Sequence, residues 1–227
     1  MYEERAAGLD GAVLWRRTAE PDDRTSRVLP DGCMDLLWWG GQIVVAGPDT
    51  IAYLSEIHAG DTLLGLRLPP GIAPTVLGVP ASELRDARVP LSALWPDKVA
   101  REAAERVAAD PGAALERLAA SRLTAAGGPD PIVRRIVAGL RAGTSVGAMA
   151  SALNLSARQL QRRCLPAFGY GPKTLARILR MGRALDLAWR GTALATAAAD
   201  AGYADQAHFT REVRALAGTT PTTLLAA

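Results

Sequence analysis

The second half of this chain carries a weak internal duplication, and no other feature restricts its fold as much. Ala150–Ser156 returns as Ala198–Ala204 at an offset of 48 residues. Downstream the offset becomes 49, pairing Leu160 with Phe209, Arg162 with Arg211, and Gly169-Tyr170-Gly171-Pro172 with Gly218-Thr219-Thr220-Pro221. Each copy reads as a helix with a small Ala inside, a tight turn, a second helix with a polar cap, and a Gly-x-x-Pro exit. That is the local grammar of a helix-turn-helix, in which the small residue lets two helices cross closely and the turn aims the second outward. In the first copy Ser156 stands at an N-cap, with Gln159 three positions on completing a capping box. On the helix that follows, Leu160 and Cys164 face inward while Arg158, Gln161, Arg162 and Arg163 project from other faces. Arg can make a two-pronged contact with guanine and Gln with adenine, so this surface has the chemistry of major-groove readout; phosphate binding alone would need no Gln. The second copy presents Gln206, Thr210, Arg211 and Arg214, with Phe209 and Val213 inward. It is less basic and is expected to contribute less affinity.

Charge points to the same partner. The 227 residues include 26 Lys/Arg and 23 Asp/Glu, a formal +3. Residues 1–125 hold 13 basic against 18 acidic side chains and residues 126–227 hold 13 against 5, so a balance of −5 is joined to one of +8. An acidic half beside a basic half suggests that the basic half meets a polyanion. With 49% hydrophobic and 22% charged residues the chain can bury a core. No run approaches the roughly 18 apolar residues of a membrane helix, since the most apolar one, Cys33 to Trp39, stops at Gly40-Gly41. The charged start Met1-Tyr2-Glu3-Glu4-Arg5 lacks a secretory signal, which makes the cytoplasm the expected location. Cys33 and Cys164 read as reduced core residues rather than a disulfide. No Cys-x-x-Cys or paired His spacing suggests a metal, and nothing in the sequence asks for a cofactor.

The first half reads differently. Ala12–Trp15, Arg27–Leu29, Met34–Trp39, Gln42–Ala46, Leu63–Leu68 and Thr75–Leu77 are short strand-like runs, separated by turn chemistry such as Pro30-Asp31-Gly32 and Pro69-Pro70-Gly71. They predict a compact antiparallel sandwich or barrel. Residues 97–108 and 111–123 predict helices, the second with Asp110 as N-cap and Pro111 in its first turn. Ala125 to Pro131, rich in Gly and Pro, reads as a linker where the charge balance changes sign. Beyond it everything reads as helix, including a long one carrying Leu175, Ile178, Leu179, Leu185 and Trp189. The expected class is α+β: a β-rich domain over 1–125 with a helical tail at about 97–123, then an all-α domain over 130–227.

Residues 130–225 resemble the DNA-binding domain of the arabinose-operon regulator family of bacterial transcription factors. The matching residues are Ser156 to Gly169, Pro172-Lys173, Arg180, Ala198, Gly202-Tyr203, His208-Phe209, Gly218 and Pro221. The first half resembles a poorly characterised domain found in front of such modules, through Pro30 to Leu36, Leu64 to Gly71 and Leu77 to Leu84. The resemblance implies two helix-turn-helix units joined by a long helix, with double-stranded DNA as partner. It also implies a β-rich domain that senses a small-molecule effector or mediates homodimerisation, and RNA polymerase as a partner of an activator. Two recognition helices on one DNA face would lie about 34 Å apart and bend the duplex. Three departures stand out. Cys164 replaces a commoner Phe, Asn154 replaces the turn Gly, and Pro166 lies inside the expected recognition helix, pointing to an early end.

The DNA-contacting set expected from chemistry and resemblance is Arg158, Gln161, Arg162, Arg163, Lys173, Gln206, Thr210 and Arg211. Arg163 and Arg214 are read equally well as phosphate or solvent residues and as base readers. Lys173 would reach phosphate with a helix N-terminus. Arg180 reads as a buried ion-pair partner tying the units together, and His208 as a packing or capping residue. In the first half Asp31, Asp35 and Arg67 form a buried ion-pair set or line a pocket, with Trp38 and Arg67 the weak ligand candidates. Of the adjacent Trp38 and Trp39, one must point away from the main core. Cys33, beside Asp31 and Asp35, lacks the positive surroundings of a reactive thiol. An enzyme is disfavoured because the first half has a single His, His58, and no nucleophile paired with a base. The alternative reading is a ligand-binding or protein-interaction module with a degenerate DNA-binding domain.

Overall fold

The computed structural model describes residues 1–21, 25–56 and 58–226. Its strands are β1 (Tyr2–Ala6), β2 (Val13–Thr18), β3 (Thr25–Val28), β4 (Met34–Trp39), β5 (Gln42–Ala46), β6 (Tyr53–Glu56), β7 (Thr62–Leu68) and β8 (Arg88–Pro90). Six of them form an antiparallel sheet in the order β1-β2-β7-β4-β5-β8, while β3 and β6 pair separately. The helices are α1 (Ala73–Leu77), α2 (Asp97–Ala109), α3 (Pro111–Ala125), α4 (Pro131–Arg141), α5 (Val146–Ala152), α6 (Ala157–Phe168), α7 (Pro172–Trp189), α8 (Leu194–Asp200), α9 (Gln206–Ala217) and α10 (Pro221–Leu225). The fold is α+β, as the sequence predicts.

Alternation along the strands explains the first core. Leu36 and Leu66 face each other across β4 and β7, with Leu14 next to Leu66 on β2, and all point to the same side of the sheet. There they are buried with Val45, Leu68, Val76, Leu77 and Leu115 beneath α1 to α3. Burying each of the larger side chains contributes roughly 1.5–3 kcal/mol. The helical tail therefore packs on the sheet. Trp38 lies on this inner side and is partly buried against the cluster, whereas Trp39 is exposed. A second core gathers Val133, Ile136, Leu160, Cys164, Phe168, Leu175, Ile178, Phe209 and Val213. Cys164 is wholly buried there, and burial pushes its thiol up to about 12. Both cysteines are free.

Several local expectations are corrected. Thr75–Leu77 belongs to α1, not to a strand. Pro74 favours a helical first turn and Gly78 closes it at φ 74, outweighing the β-branched Thr75 and Val76. Asp110 precedes α3 but makes no side-chain cap bond, pairing instead with Arg117 at 3.3 Å. Strands β1, β6 and β8 carry too little apolar alternation to be predicted; every residue of β1 is exposed. Ala125, expected in the linker, ends α3, and Asp130 caps α4 by accepting from the Ile132 amide at 2.8 Å.

The two cores meet along a polar and apolar seam. The Ala52 amide donates to the Leu216 carbonyl at 2.6 Å, and Arg27 donates to the Ala217 carbonyl at 2.6 Å. Gly71, at φ +85, lies against Val133 and Phe168, where a Cβ would have no room. Among the described residues, no helix is long and apolar enough to cross a membrane.

Candidate nucleic-acid interface

Local chemistry sets the first unit. Ser145 caps α5 by accepting from the Ala148 amide at 3.2 Å, and Asn154 turns the chain at φ 53. Asn tolerates that left-handed backbone at lower cost than most side chains. Ser156 Oγ accepts from the Gln159 amide at 3.2 Å, while Gln159 Oε1 accepts from the Ser156 amide at 2.8 Å, completing the expected capping box. The early end expected from Pro166 does not occur: α6 continues to Phe168, and Gly169 closes it at φ 80. The ring removes the donor that the Arg162 carbonyl would have used. Arg162 and Pro166 are both exposed, so water can serve that carbonyl.

Helical spacing places Arg158 and Arg162 opposite the buried Leu160, Cys164 and Phe168. Both guanidiniums are exposed. Gln161 is exposed on one flank, its amide against Gly171. On the other flank Arg163 pairs with Asp130 at 3.0 Å. Arg162, Arg163 and Gln159 border a cleft whose far wall is Pro74, Thr75, Gly78, Val79 and Pro80 of the first half. Lys173 is exposed in the first turn of α7.

The second unit repeats this register. Asp205 caps α9 by accepting from the His208 amide at 2.6 Å, and the His208 ring meets the edge of Tyr203 at 5.2 Å. Arg211 occupies the position of Arg162 and is exposed; Thr210, half-buried, takes that of Gln161. Ala207 stands where the first unit has Arg158. Gln206 is exposed at the start of the helix.

A polar latch on α7 holds the units together. Glu212 of α9, only 8% exposed, accepts from Arg177 Nε at 3.0 Å, Arg180 Nη2 at 2.8 Å and the Tyr203 hydroxyl at 3.0 Å. Arg180 also lies over the Tyr203 ring, 4.4 Å from its centroid. Burial alone would raise the Glu212 pKa, but the Arg180 and Arg177 hydrogen bonds outweigh it and hold the carboxyl below its ordinary value. Arg183 donates to the carbonyls of Arg141 and Ala201, bridging the ends of α4 and α8. The sequence anticipates the ion-pairing of Arg180 but not its partner. Glu212 is the lone acidic residue inside α9, and that singularity is the signal that marks it.

A cavity of about 830 Å³ lies between the outer side of the large sheet and α7. Cross-strand register assembles its floor: Asp35 faces Arg67, and Gly65 lies between Trp15 and Leu37. Trp15 lies across Gly65, which leaves no room for a Cβ there. Its indole donates to Asp35 Oδ1 at 2.6 Å. Arg67 Nε sits 3.7 Å from Asp31 and 3.9 Å from Asp35. Desolvation by burial pushes the Asp35 carboxyl up to about 6, despite Arg67. Arg88 holds Asp49 with two bonds, at 2.8 and 2.7 Å. Met181, Leu185 and Trp189 of α7 form the roof. Of the two ligand candidates, Arg67 lines this space and Trp38, pointing to the other side of β4, does not. The Cys33 thiol is pushed well above its ordinary value by burial and by Asp31 and Asp35, which keeps it a poor thiolate.

Comparison with known proteins gives these features a setting. A family model described as a helix-turn-helix domain matches residues 149–227, and one described as a domain of unknown function matches residues 12–90. None of the curated proteins matches the chain. Among solved structures, the C-terminal domain of AraT, a response regulator from Geobacillus stearothermophilus, is similar at 23% identity and a TM-score of 0.40, covering 43% of this chain and 85% of its own. A probable AraC family transcriptional regulator from Rhodopseudomonas palustris is similar at 22% identity and a TM-score of 0.37, covering 43% of this chain and 96% of its own. Unsaturated fatty acid-bound ToxT from Vibrio cholerae aligns over 99% of this chain and 97% of its own, at 10% identity and a TM-score of 0.49. This chain therefore joins a helix-turn-helix domain over residues 149–227 to a domain of unknown function over residues 12–90.

Proposed function

We propose that the chain is a DNA-binding transcriptional regulator that reads two successive major-groove segments with α6 and α9. Arg158, Gln161 and Arg162 contact base edges from α6, with Arg211, Thr210 and Gln206 in the lesser role on α9. Lys173 and Arg163 serve phosphate, the latter after exchanging Asp130 for DNA. The observation that carries this reading is the repeated register: exposed Arg162 and Arg211 occupy equivalent positions on two helices, α6 and α9, that pack into one core with α7. The sheet-side cavity supports a small-molecule effector, since its roof is that same α7. Homodimerisation and, for an activator, contact with RNA polymerase belong to the same reading; sedimentation of the complex on DNA counts the chains.

The test is selection of bound duplexes from genomic fragments, followed by titration at several salt concentrations. The expected result is one enriched sequence, bound with affinity that falls steeply as salt rises. Arg162→Ala should then cost about 1–3 kcal/mol on that sequence and less on random duplex. Equal affinity for selected and random DNA would overturn the reading.

A further inference from the structure

We infer that the cavity beneath α7 accepts a small amphipathic molecule whose head is a positively charged nitrogen, seated against Asp31 and Asp35. This deepens the effector reading above and rests on it. The polar end of the cavity holds three carboxylates, Asp31, Asp35 and Asp49, and two guanidiniums, Arg67 and Arg88. Arg88 is committed to Asp49 by its two hydrogen bonds. Arg67 is left between Asp31 and Asp35, beyond hydrogen-bond distance of both at 3.7 and 3.9 Å. One cation facing two carboxylates leaves a negative charge and open acceptor positions at this end. Asp35 accepts from the Trp15 indole and Asp31 from the Cys33 amide, each through one oxygen only.

The other basic groups of the lining are engaged elsewhere: Arg27 donates to the Ala217 carbonyl, Arg17 donates to Ser26, and the terminal amine of Met1 pairs with Glu20 at 3.0 Å. Asp186 of α7 adds another carboxylate to the lining. The remaining walls suit an apolar body. Tyr2 stacks on Trp15 with centroids 6.2 Å apart, Leu37 and Leu63 lie beside them, and Met181, Leu185 and Trp189 close the roof. Aromatic faces near the carboxylates favour a cation further. Close by, the Tyr170 hydroxyl is buried without a hydrogen-bond partner, within the electrostatic reach of Asp31, Cys33 and Asp49. Occupancy would press on α7 at Met181 and Leu185, in the same stretch as the Arg180 and Arg183 latches.

Two probes of matched shape and opposite charge test this on the full chain: phenylbutylamine and phenylbutyrate, titrated calorimetrically and by tryptophan fluorescence. The amine should bind saturably and the acid should not. Asp35→Asn should weaken the amine at least about tenfold, the effect of losing one charged hydrogen bond. Asp31→Asn is the second variant should Asp35→Asn fail to fold, as judged by thermal unfolding. Tighter binding of the acid, no binding of either probe at millimolar concentration, or unchanged amine affinity in the folded variant would each overturn the inference. Gel shifts without probe, on the same preparations, keep the outcomes separate. Selective DNA binding without amine binding sinks only the ligand class, whereas amine binding without selective DNA binding sinks the DNA-reading proposal.

Discussion

Replacing Glu212 by Ala removes the one carboxylate that Arg177, Arg180 and Tyr203 share. Taking one partner from a buried ion pair costs about 3–5 kcal/mol, because the charge left behind is poorly solvated. Here the Arg177 and Arg180 side chains are 43% and 29% exposed, so water recovers part of that loss. The Tyr203 hydroxyl, nearly buried, adds about 1 kcal/mol for its lost acceptor. The expected destabilisation of the helical half is therefore about 3 kcal/mol, about 150-fold in its opening equilibrium. Glu212→Gln keeps the shape and one acceptor oxygen, and should cost about 1–2 kcal/mol. Hydrogen exchange at the α9 amides, with urea unfolding beside it, reads both numbers and separates local from global opening. The acid limb supplies a sign. Because the folded-state pKa of Glu212 is depressed, its contribution is present above the unfolded carboxylate pKa and is lost as pH falls through the folded value. Wild type should lose this margin on acidification, while the Gln variant has none to lose. An Ala variant within about 0.5 kcal/mol of wild type at neutral pH, with unchanged α9 exchange, would refute the account of the latch.

Other perturbations probe the sheet and the proposed phosphate contact of Lys173. Asp35, raised to about 6, runs opposite in sign: its contribution is present below the unfolded carboxylate pKa and disappears as pH rises through 6. Thermal unfolding from pH 4 to pH 8 should show that decline in wild type, and Asp35→Asn should flatten it. Gly65→Ala would drive a Cβ into the Trp15 ring; a loss of about 1–3 kcal/mol and a shifted tryptophan emission are expected, and a neutral change would mean Trp15 lies elsewhere. Lys173→Ala should weaken binding to all duplexes alike and reduce the salt slope by about 1, as measured by titration at several ionic strengths.

The helical half was legible because its determinants are local. The Ser156–Gln159 box, the left-handed Asn154 and the closing Gly169 are each decided within a few residues, and duplication repeats such local signals in the second unit. Pro166 misled because a helix can lose one donor where the stranded carbonyl is exposed. Thr75–Leu77 misled because flanking Pro74 and Gly78 outweigh β-branched side chains over so short a span. The cavity was least legible. Its floor comes from β2, β4 and β7, and its roof from α7 more than a hundred residues away. Asp31, Asp35 and Arg67 were visible as a charged set, but whether they face a core or a hollow depends on which side of each strand they occupy. Glu212 was missed for a similar reason: one acid on an amphipathic helix looks solvated until the neighbouring helix is placed.

The unequal pair Arg158 and Ala207 has a consequence for orientation. On the proposed reading, one half of a binding site is specified by two guanidiniums and the other by one, so the site has a head and a tail. A single chain with this asymmetry distinguishes one direction along the duplex from the reverse without needing a palindrome. Inverting a bound site beside a promoter would then point the same protein, and everything it recruits, the opposite way.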